Sequence, residues 1–314
     1  MDPLSDVLAL LRPRSTLSAG LDAGGDWSLA FPMHAGIKFN AVLRGTCWVS
    51  VEGWPERQRL DEGDCFLLTR GRPFTLTTDP ALDPVDSGPI YEAARNGIAI
   101  CNGGGHFRLV GGRFTFAGDH ASALFESLPP IVHVRQATHQ ASVLRWCLDQ
   151  LASELHGSEA GTAIVAEHLA HIMLVHVLRL YLAAPDLSPA ETSGQTTPHP
   201  RVGWFFALAD RQLGAALRAM HTEPARRWSL EELAQLAGMS RTIFAERFRL
   251  RVGMTPMAYL TRWRMLIAGD RLRQSGETIA AIAFSLGYDS ESAFSTAFKR
   301  TMACSPRQYQ RQRG

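Results

Sequence analysis

The chain has 314 residues, of which 46% are hydrophobic, 9% aromatic and 20% charged, and no run reads as long enough to span a bilayer. That length fits about two domains with separate cores, and the composition excludes collagen-like, disordered and membrane-spanning classes. The net charge of +2 conceals an asymmetry: residues 198–314 carry 18 basic and 9 acidic side chains, a net of +9, and the first 197 residues a net of −7. A basic half joined to an acidic half predicts that one part meets a polyanion and the other does something else.

Lys38 and Lys299 are the only lysines among 32 basic residues. Arginine suits bidentate contacts to phosphates and bases, although a high-GC genome also favours it. The five cysteines, Cys47, Cys65, Cys101, Cys147 and Cys304, are odd in number and lack metal-type pairing. With no basic-then-apolar leader at the N-terminus, this pattern predicts a reducing, cytoplasmic setting.

Residues 1–16 read as a short helix, with Leu4, Val7, Leu8 and Leu11 on one stripe before Pro13. From Trp27 to about Phe116 short apolar runs alternate with turn residues: Ile37–Leu43, Cys47–Val51, Arg57–Leu60, Cys65–Leu68 and Phe74–Thr77. Strands recurring every 8–12 residues or so predict an antiparallel sandwich or small barrel. Residues 138–183 switch to helical period, with Leu144, Cys147, Leu148, Leu151 and Leu155 on one stripe. Ile164–Leu182 is apolar nearly all round and must be buried against something, a second subunit being one candidate. Ala184–Pro200 is a polar, proline-bearing linker.

Residues 228–314 contain an internal repeat. Ser240, Phe244, Phe248, Gly253, Pro256 and Tyr259 recur fifty residues later as Ser290, Phe294, Phe298, Ala303, Pro306 and Tyr309. Upstream the offset is forty-nine, and Leu230, Leu233, Ala234, Ala237 and Gly238 map onto Ile279, Ile282, Ala283, Leu286 and Gly287. Each unit is therefore a helix, a glycine-bearing turn and a second helix starting at serine, the layout of a helix-turn-helix. Ser229 and Glu232 have capping-box spacing. Phenylalanines four apart fix the buried stripe of each second helix. The outer face is then Arg241, Thr242, Glu246 and Arg249 in one unit, and Glu291, Ser292, Ser295, Thr296 and Lys299 in the other. Between them Pro256–Arg273 reads as one helix, with Tyr259, Trp263, Leu266, Ile267 and Leu272 inward and Arg262, Arg264 and Arg271 outward. A rigid connector would set the recognition helices one DNA turn apart, about 34 Å. Two units in register on the basic half outweigh the alternative that each is a plain packing motif.

At these residues the sequence resembles the AraC/XylS family of bacterial transcription factors. The matching stretches are Trp228-Ser-Leu-Glu-Glu-Leu-Ala, Gly238-Met-Ser-Arg-Thr-Ile-Phe, Gly253-Met-Thr-Pro-Met-Ala-Tyr-Leu and Gly287-Tyr-Asp-Ser-Glu-Ser-Ala-Phe. The resemblance implies that Thr242, Ala245 and Glu246 face bases in the first recognition helix, with Ser292, Ser295 and Thr296 equivalent in the second. Arg241, Arg249 and Lys299 would then hold phosphates, which position without reading sequence. Ala303 departs from the usual glycine, so its backbone must avoid positive φ or bear a small strain. The front half is similar to the cupin-type sensory domain of one branch of that family, through Phe39–Trp48, Leu60–Gly71 and Leu128–His133. Cupins often hold a metal, but the expected ligand positions carry Asn40 and Phe74, with Val42 beside the former. No metal site and no cofactor are expected, because these side chains do not supply the donors.

Further candidates resolve toward plain roles. His168, His171 and His176 lie on one helix without a completing carboxylate set, and read as solvated or packed. Gly103-Gly104-Gly105-His106 lacks the context of a phosphate loop and reads as a hairpin turn. Cys47, Cys65 and Cys101 read as small apolar residues, since redox sensing needs an exposed thiolate.

The expected fold class is α+β: an antiparallel cupin-like barrel with a helical dimerisation segment, then an all-α domain of two helix-turn-helix units. The expected divisions are an effector-sensing domain at 1–135, a dimerisation segment at 136–183, a linker at 184–200 and a DNA-binding domain at 201–314. The chain reads as a non-enzymatic, one-component regulator, an activator by family habit, working as a cytoplasmic homodimer on double-stranded promoter DNA with RNA polymerase as a partner. A small-molecule effector would sit in a barrel pocket of Asn40, Val42, Trp48, Phe66, Phe74 and Cys101, and no membrane is involved. The alternatives are a metal-dependent cupin enzyme fused to a DNA-binding domain, a cysteine-based redox regulator, or a ligand-independent architectural protein.

Overall fold

The structure is a computed structural model. It describes the chain apart from residues 1, 18–19, 96, 117–127, 136–141, 157–159, 184–202, 275 and 312–314. The expected linker at 184–200 therefore lies outside the described residues. The chain divides into two compact units, Pro13–Gln195 and a second that combines Met1–Arg12 with Thr196–Gly314.

In the first unit the turn-punctuated strands form as their alternation predicts. They are β1 (Arg14–Leu17), β2 (Gly20–Ala23), β3 (Ser28–Phe31), β4 (Ile37–Arg44), β5 (Cys47–Val51) and β6 (Gln58–Leu60). Then follow β7 (Cys65–Leu68), β8 (Phe74–Thr77), β9 (Val85–Asp86), β10 (Ile98–Cys101), β11 (Phe107–Thr115) and β12 (Ile131–Val134). A short helix, α2 (Gly88–Glu92), precedes β10. Among the described residues one sheet runs β10-β2-β11-β4-β7-β12 with β1 also on β11, and the other runs β6-β5-β8-β3-β9. Here the structure corrects the expected barrel: the strands make two separate sheets and do not close. Pairing is mostly antiparallel, yet β10 runs parallel to β2 and β9 parallel to β3.

Period-two alternation decides what lies between the sheets. Val42 of β4, Cys47, Val49 and Val51 of β5, Phe66 and Leu68 of β7, and Phe74 and Leu76 of β8 belong to one buried cluster. The opposite face of the larger sheet is covered by helix: Phe39 lies 5.0 Å from Phe114, and Phe114 lies 5.7 Å from His171, ring centroid to ring centroid. His171 belongs to α4 (Thr162–Ala183), which packs on α3 (Ser142–His156), β1 and β12. By length and composition α4 could cross a membrane, contrary to the expectation that no run was long enough. Its Ala166, Leu169, Ala170, Met173, Leu174, Val177 and Leu178 are buried within the protein. His171 also bonds the Pro13 carbonyl at 2.7 Å, so this face of the helix is spoken for by the sheet.

The second unit is helical: α1 (Pro3–Leu11), α5 (Trp204–Ala209), α6 (Arg211–Thr222), α7 (Leu230–Leu236), α8 (Arg241–Val252), α9 (Pro256–Gln274), α10 (Ile279–Ser285), α11 (Glu291–Met302) and α12 (Pro306–Arg311). By its place in the chain the N-terminal helix is expected in the front domain, whereas α1 packs against α6 and α9. Its stripe explains this: Leu4, Val7 and Leu11 are buried there, and an amphipathic helix settles wherever its apolar face is covered. Beneath it the His221 ring stacks on Trp263 at 4.0 Å and shares a 2.7 Å hydrogen bond with the Tyr259 hydroxyl. Burial pushes His221 down to about 3, so it stands neutral in this core.

Candidate nucleic-acid interface

Each helix-turn-helix is built by caps that match in kind. Ser229 accepts the Glu232 backbone N–H at 3.1 Å, and the Glu232 carboxylate accepts the Ser229 backbone N–H at 2.8 Å, the complete capping box on α7. Thr278 plays the first half of that role for α10, accepting from Ala281. The turns pass through Gly238 at φ +63 and Gly287 at φ +82. Ser240 and Ser290 then cap α8 and α11, accepting the N–H groups of Ile243 and Ala293. Phe244 with Phe248 and Phe294 with Phe298 are fully buried.

That buried stripe dictates the outer face. Arg241, Thr242, Glu246 and Arg249 are exposed on α8; Glu291, Ser292, Thr296 and Lys299 are exposed on α11. Ala245 and its counterpart Ser295 are both half-buried, at the edge of the same face. Thr296 donates its hydroxyl to the Ser292 carbonyl at 3.0 Å, a bond back along its own helix.

Three arginines have roles that helical periodicity did not reveal. Arg247, absent from the sequence reading, donates to Asp210 at 2.7 Å and to Gln212 at 2.9 Å, pinning α8 to the start of α6. Asp210 also caps α6 through the Gln212 and Leu213 N–H groups. Burial alone would raise Asp210, but those N–H groups and Arg247 outweigh it and hold it below its usual range. Arg264 was expected to point outward; it is half-buried and donates to the carbonyls of Pro224 at 2.6 Å and Arg226 at 2.8 Å. Its guanidinium also lies 5.7 Å from the Tyr288 ring centre, just past the second turn. Arg271, likewise expected outward, forks onto Glu277 and donates to Ser285 at 2.6 Å. Through these arginines the connecting helix therefore holds the lead-in to the first unit and, in the second, the first helix and the turn that follows it. Donors at fixed positions along one helix satisfy carbonyls and carboxylates that sequence spacing cannot foresee.

In the β unit, Val42, Phe66, Phe74 and Cys101 come together in the cluster between the sheets. Asn40 is buried there, paired across the strands with Phe66 and Gly111. Trp48 alternates to the opposite face of β5 from Cys47, Val49 and Val51, and is half-buried outside that cluster. The residues present do not fit a metal: among the described residues no three His, Cys, Asp or Glu side chains converge. Instead His133 pairs with Asp64 at 2.8 Å. The Gly103–Gly105 turn is filled from within, the Gly105 N–H donating to Asp22 at 2.6 Å, which leaves it a hairpin connection. Cys47, Cys65, Cys101 and Cys147 are all buried, and burial raises each thiol, Cys65 to about 12. None of these four therefore presents the exposed, low-pKa thiolate that redox sensing requires, and Cys304, in the helical unit, is the one partly buried cysteine among the described residues.

The geometry defines a sequence-specific DNA-binding transcriptional regulator: two capped helix-turn-helix units on a shared connector, joined in one chain to a β domain. A cupin family model matches residues 2–183, and a helix-turn-helix domain model matches residues 233–312. An AraC-like transcription regulator of Streptomyces lividans is 46% identical over 99% of this chain and 98% of its own length. Another, from Streptomyces antibioticus, is 44% identical over 99% of both chains. The RCS-specific HTH-type transcriptional activator RclR of Escherichia coli K12 is 28% identical over 98% of this chain and 97% of its own. The chain belongs to the AraC-like family of transcriptional regulators, in the branch whose N-terminal half is a cupin.

Proposed function

We propose that the protein is a one-component activator in which the β unit binds a small-molecule effector and so alters how the DNA-binding unit meets paired promoter sites and RNA polymerase. The observation that carries this is the duplicated outer face, four exposed polar residues on each recognition helix, in the half of the chain that bears the net +9. Thr242, Ala245 and Glu246, with Ser292, Ser295 and Thr296, read base edges in two successive major grooves; Arg241, Arg249 and Lys299 hold phosphates, and Glu291 lies at the rim. The E. coli relative's name supports activation. Two copies associate through α3 and α4, whose Val143, Trp146, Ile164, Val165 and Ile172 remain exposed.

The test is Arg249→Ala in the full chain. Binding weakens on every DNA sequence alike, and the slope of log K against log salt becomes shallower by about 1. Glu246→Ala instead changes preference among operator variants. An unchanged slope for the first, with unchanged preference for the second, rules out this docking face.

A further inference from the structure

Lys38 is the only lysine of the β unit, in a chain that uses arginine at all but two of its 32 basic positions. Alternation along β4 puts it on the face of Asn40 and Val42, toward the smaller sheet. There its Nζ lies 4.9 Å from the centre of the Phe74 ring and 5.2 Å from that of Phe31. The two rings stack in parallel at 4.5 Å, and Tyr91 meets Phe31 edge-on at 5.6 Å.

Polar groups around this aromatic floor want partners. His34 stands edge-on to Phe74 at 6.1 Å with both ring nitrogens buried, and among the described residues its only polar neighbours for hydrogen bonding are the backbone groups of Ala35 and Gly36 beside it in the chain. Asn40, only 7% exposed, has its Nδ2 likewise unmatched. Among the described residues no carboxylate pairs with Lys38. Its cross-strand neighbour is Arg113, of the same sign. A buried polar group left unmatched keeps its full desolvation cost, so the arrangement is set for a guest that accepts hydrogen bonds and carries an apolar body.

We propose that Lys38 captures an apolar aldehyde as an imine between the two sheets, a refinement that rests on the effector-binding reading above. An arginine there could neutralise an anion but could never act as a nucleophile, whereas a buried lysine can shed its proton. Burial first, and then Arg113, lower Lys38 to about 8, leaving a share of free amine near neutrality. The amine lone pair forms the C–N bond as the carbonyl π pair moves to oxygen. A proton passes from nitrogen to oxygen to give the carbinolamine. Hydroxide then leaves with a second proton as water while nitrogen closes the C=N bond. Aldehyde and amine thus give imine and water, with no oxidant or reductant. His34, which burial holds down to about 4, is a neutral base for these transfers, and the Asn40 amide is a donor for the carbonyl oxygen. A protonated imine keeps its charge over the Phe31 and Phe74 faces.

The experiment treats the full-length protein with benzaldehyde and cyanoborohydride near pH 7.5 and reads each lysine by peptide mass spectrometry, Lys299 serving as the standard within the same molecule. Lys38 is expected to be alkylated about ten-fold faster than Lys299, with saturation in benzaldehyde, and His34→Ala to slow it about five-fold or more while Lys299 is unaffected. Equal rates at the two lysines, or a Lys38 rate that rises linearly with benzaldehyde and ignores His34→Ala, overturns the proposal. DNA affinity measured on samples taken before Lys299 is alkylated separates the two claims. Stoichiometric labelling of Lys38 with unaltered operator binding leaves the capture chemistry standing and removes the regulatory role. Operator binding altered by benzaldehyde and by benzyl alcohol alike, with Lys38 left unlabelled by benzaldehyde and cyanoborohydride, does the reverse.

Discussion

Ala303 sits where the first repeat has Gly253, and both end their recognition helix in the left-handed region, at φ +61 and +84. The helix needs that conformation to turn the chain into the next proline-led helix, and the repeat imposes it on a residue with a Cβ. Alanine at this position allows two outcomes, avoidance of positive φ or a small strain, and the backbone takes the strained one. Ala303→Gly therefore stabilises the protein by about 0.5–1 kcal/mol in urea denaturation, since glycine meets no steric cost there. A neutral or destabilising result would show that the extra freedom of glycine in the unfolded chain outweighs the relief. Single residues were legible here wherever chemistry is local: Ser229, Glu232, Ser240 and Ser290 cap as their spacing predicted, because a cap needs only its own helix.

At the scale of elements, local pattern fixed which residues form helices and which faces they bury, and the phenylalanine pairs fixed the outward positions of α8 and α11. It did not fix what holds one element to another. Arg264 lies on the connecting helix α9 yet satisfies two carbonyls in the segment before α7 and faces Tyr288 beyond α10. Arg264→Ala leaves those carbonyls short of a donor and loosens both helix-turn-helix units together. It should cost about 1–3 kcal/mol in stability and weaken operator binding, while Met257→Ala at an exposed position of the same helix serves as the comparison. Equal effects of the two substitutions would argue against an anchoring role for Arg264. The same limit applied to the β unit, where alternation placed Lys38 beside Asn40 on one face but could not bring Phe31 and Phe74 under its amine.

For the whole molecule, the linear order of domains is not the order of packing. The first twelve residues join the C-terminal helices, with Leu4, Val7 and Leu11 buried against α6 and α9 above His221 and Trp263. Burying three such side chains is worth several kcal/mol as an upper estimate. Removal of residues 2–12 should lower the denaturation midpoint of the DNA-binding unit, followed by the fluorescence of Trp204 and Trp263, by about 3 kcal/mol in equivalent stability. If the midpoint does not move, α1 contributes nothing to that core.

The sequence by itself determined the DNA-binding half almost completely. Its caps act within a turn of helix, and its charge split and fifty-residue repeat are properties of the linear chain, so composition and spacing carry them. It also determined the alternating strands of the front half. Only the tertiary structure decided that those strands remain two open sheets, that α1 crosses to the other unit, and that Arg247, Arg264 and Arg271 serve as internal struts. It alone put Lys38 over two aromatic rings with no carboxylate paired to it among the described residues. Those outcomes depend on which distant surface happens to cover an apolar stripe or meet a donor, and sequence separation carries no record of that distance.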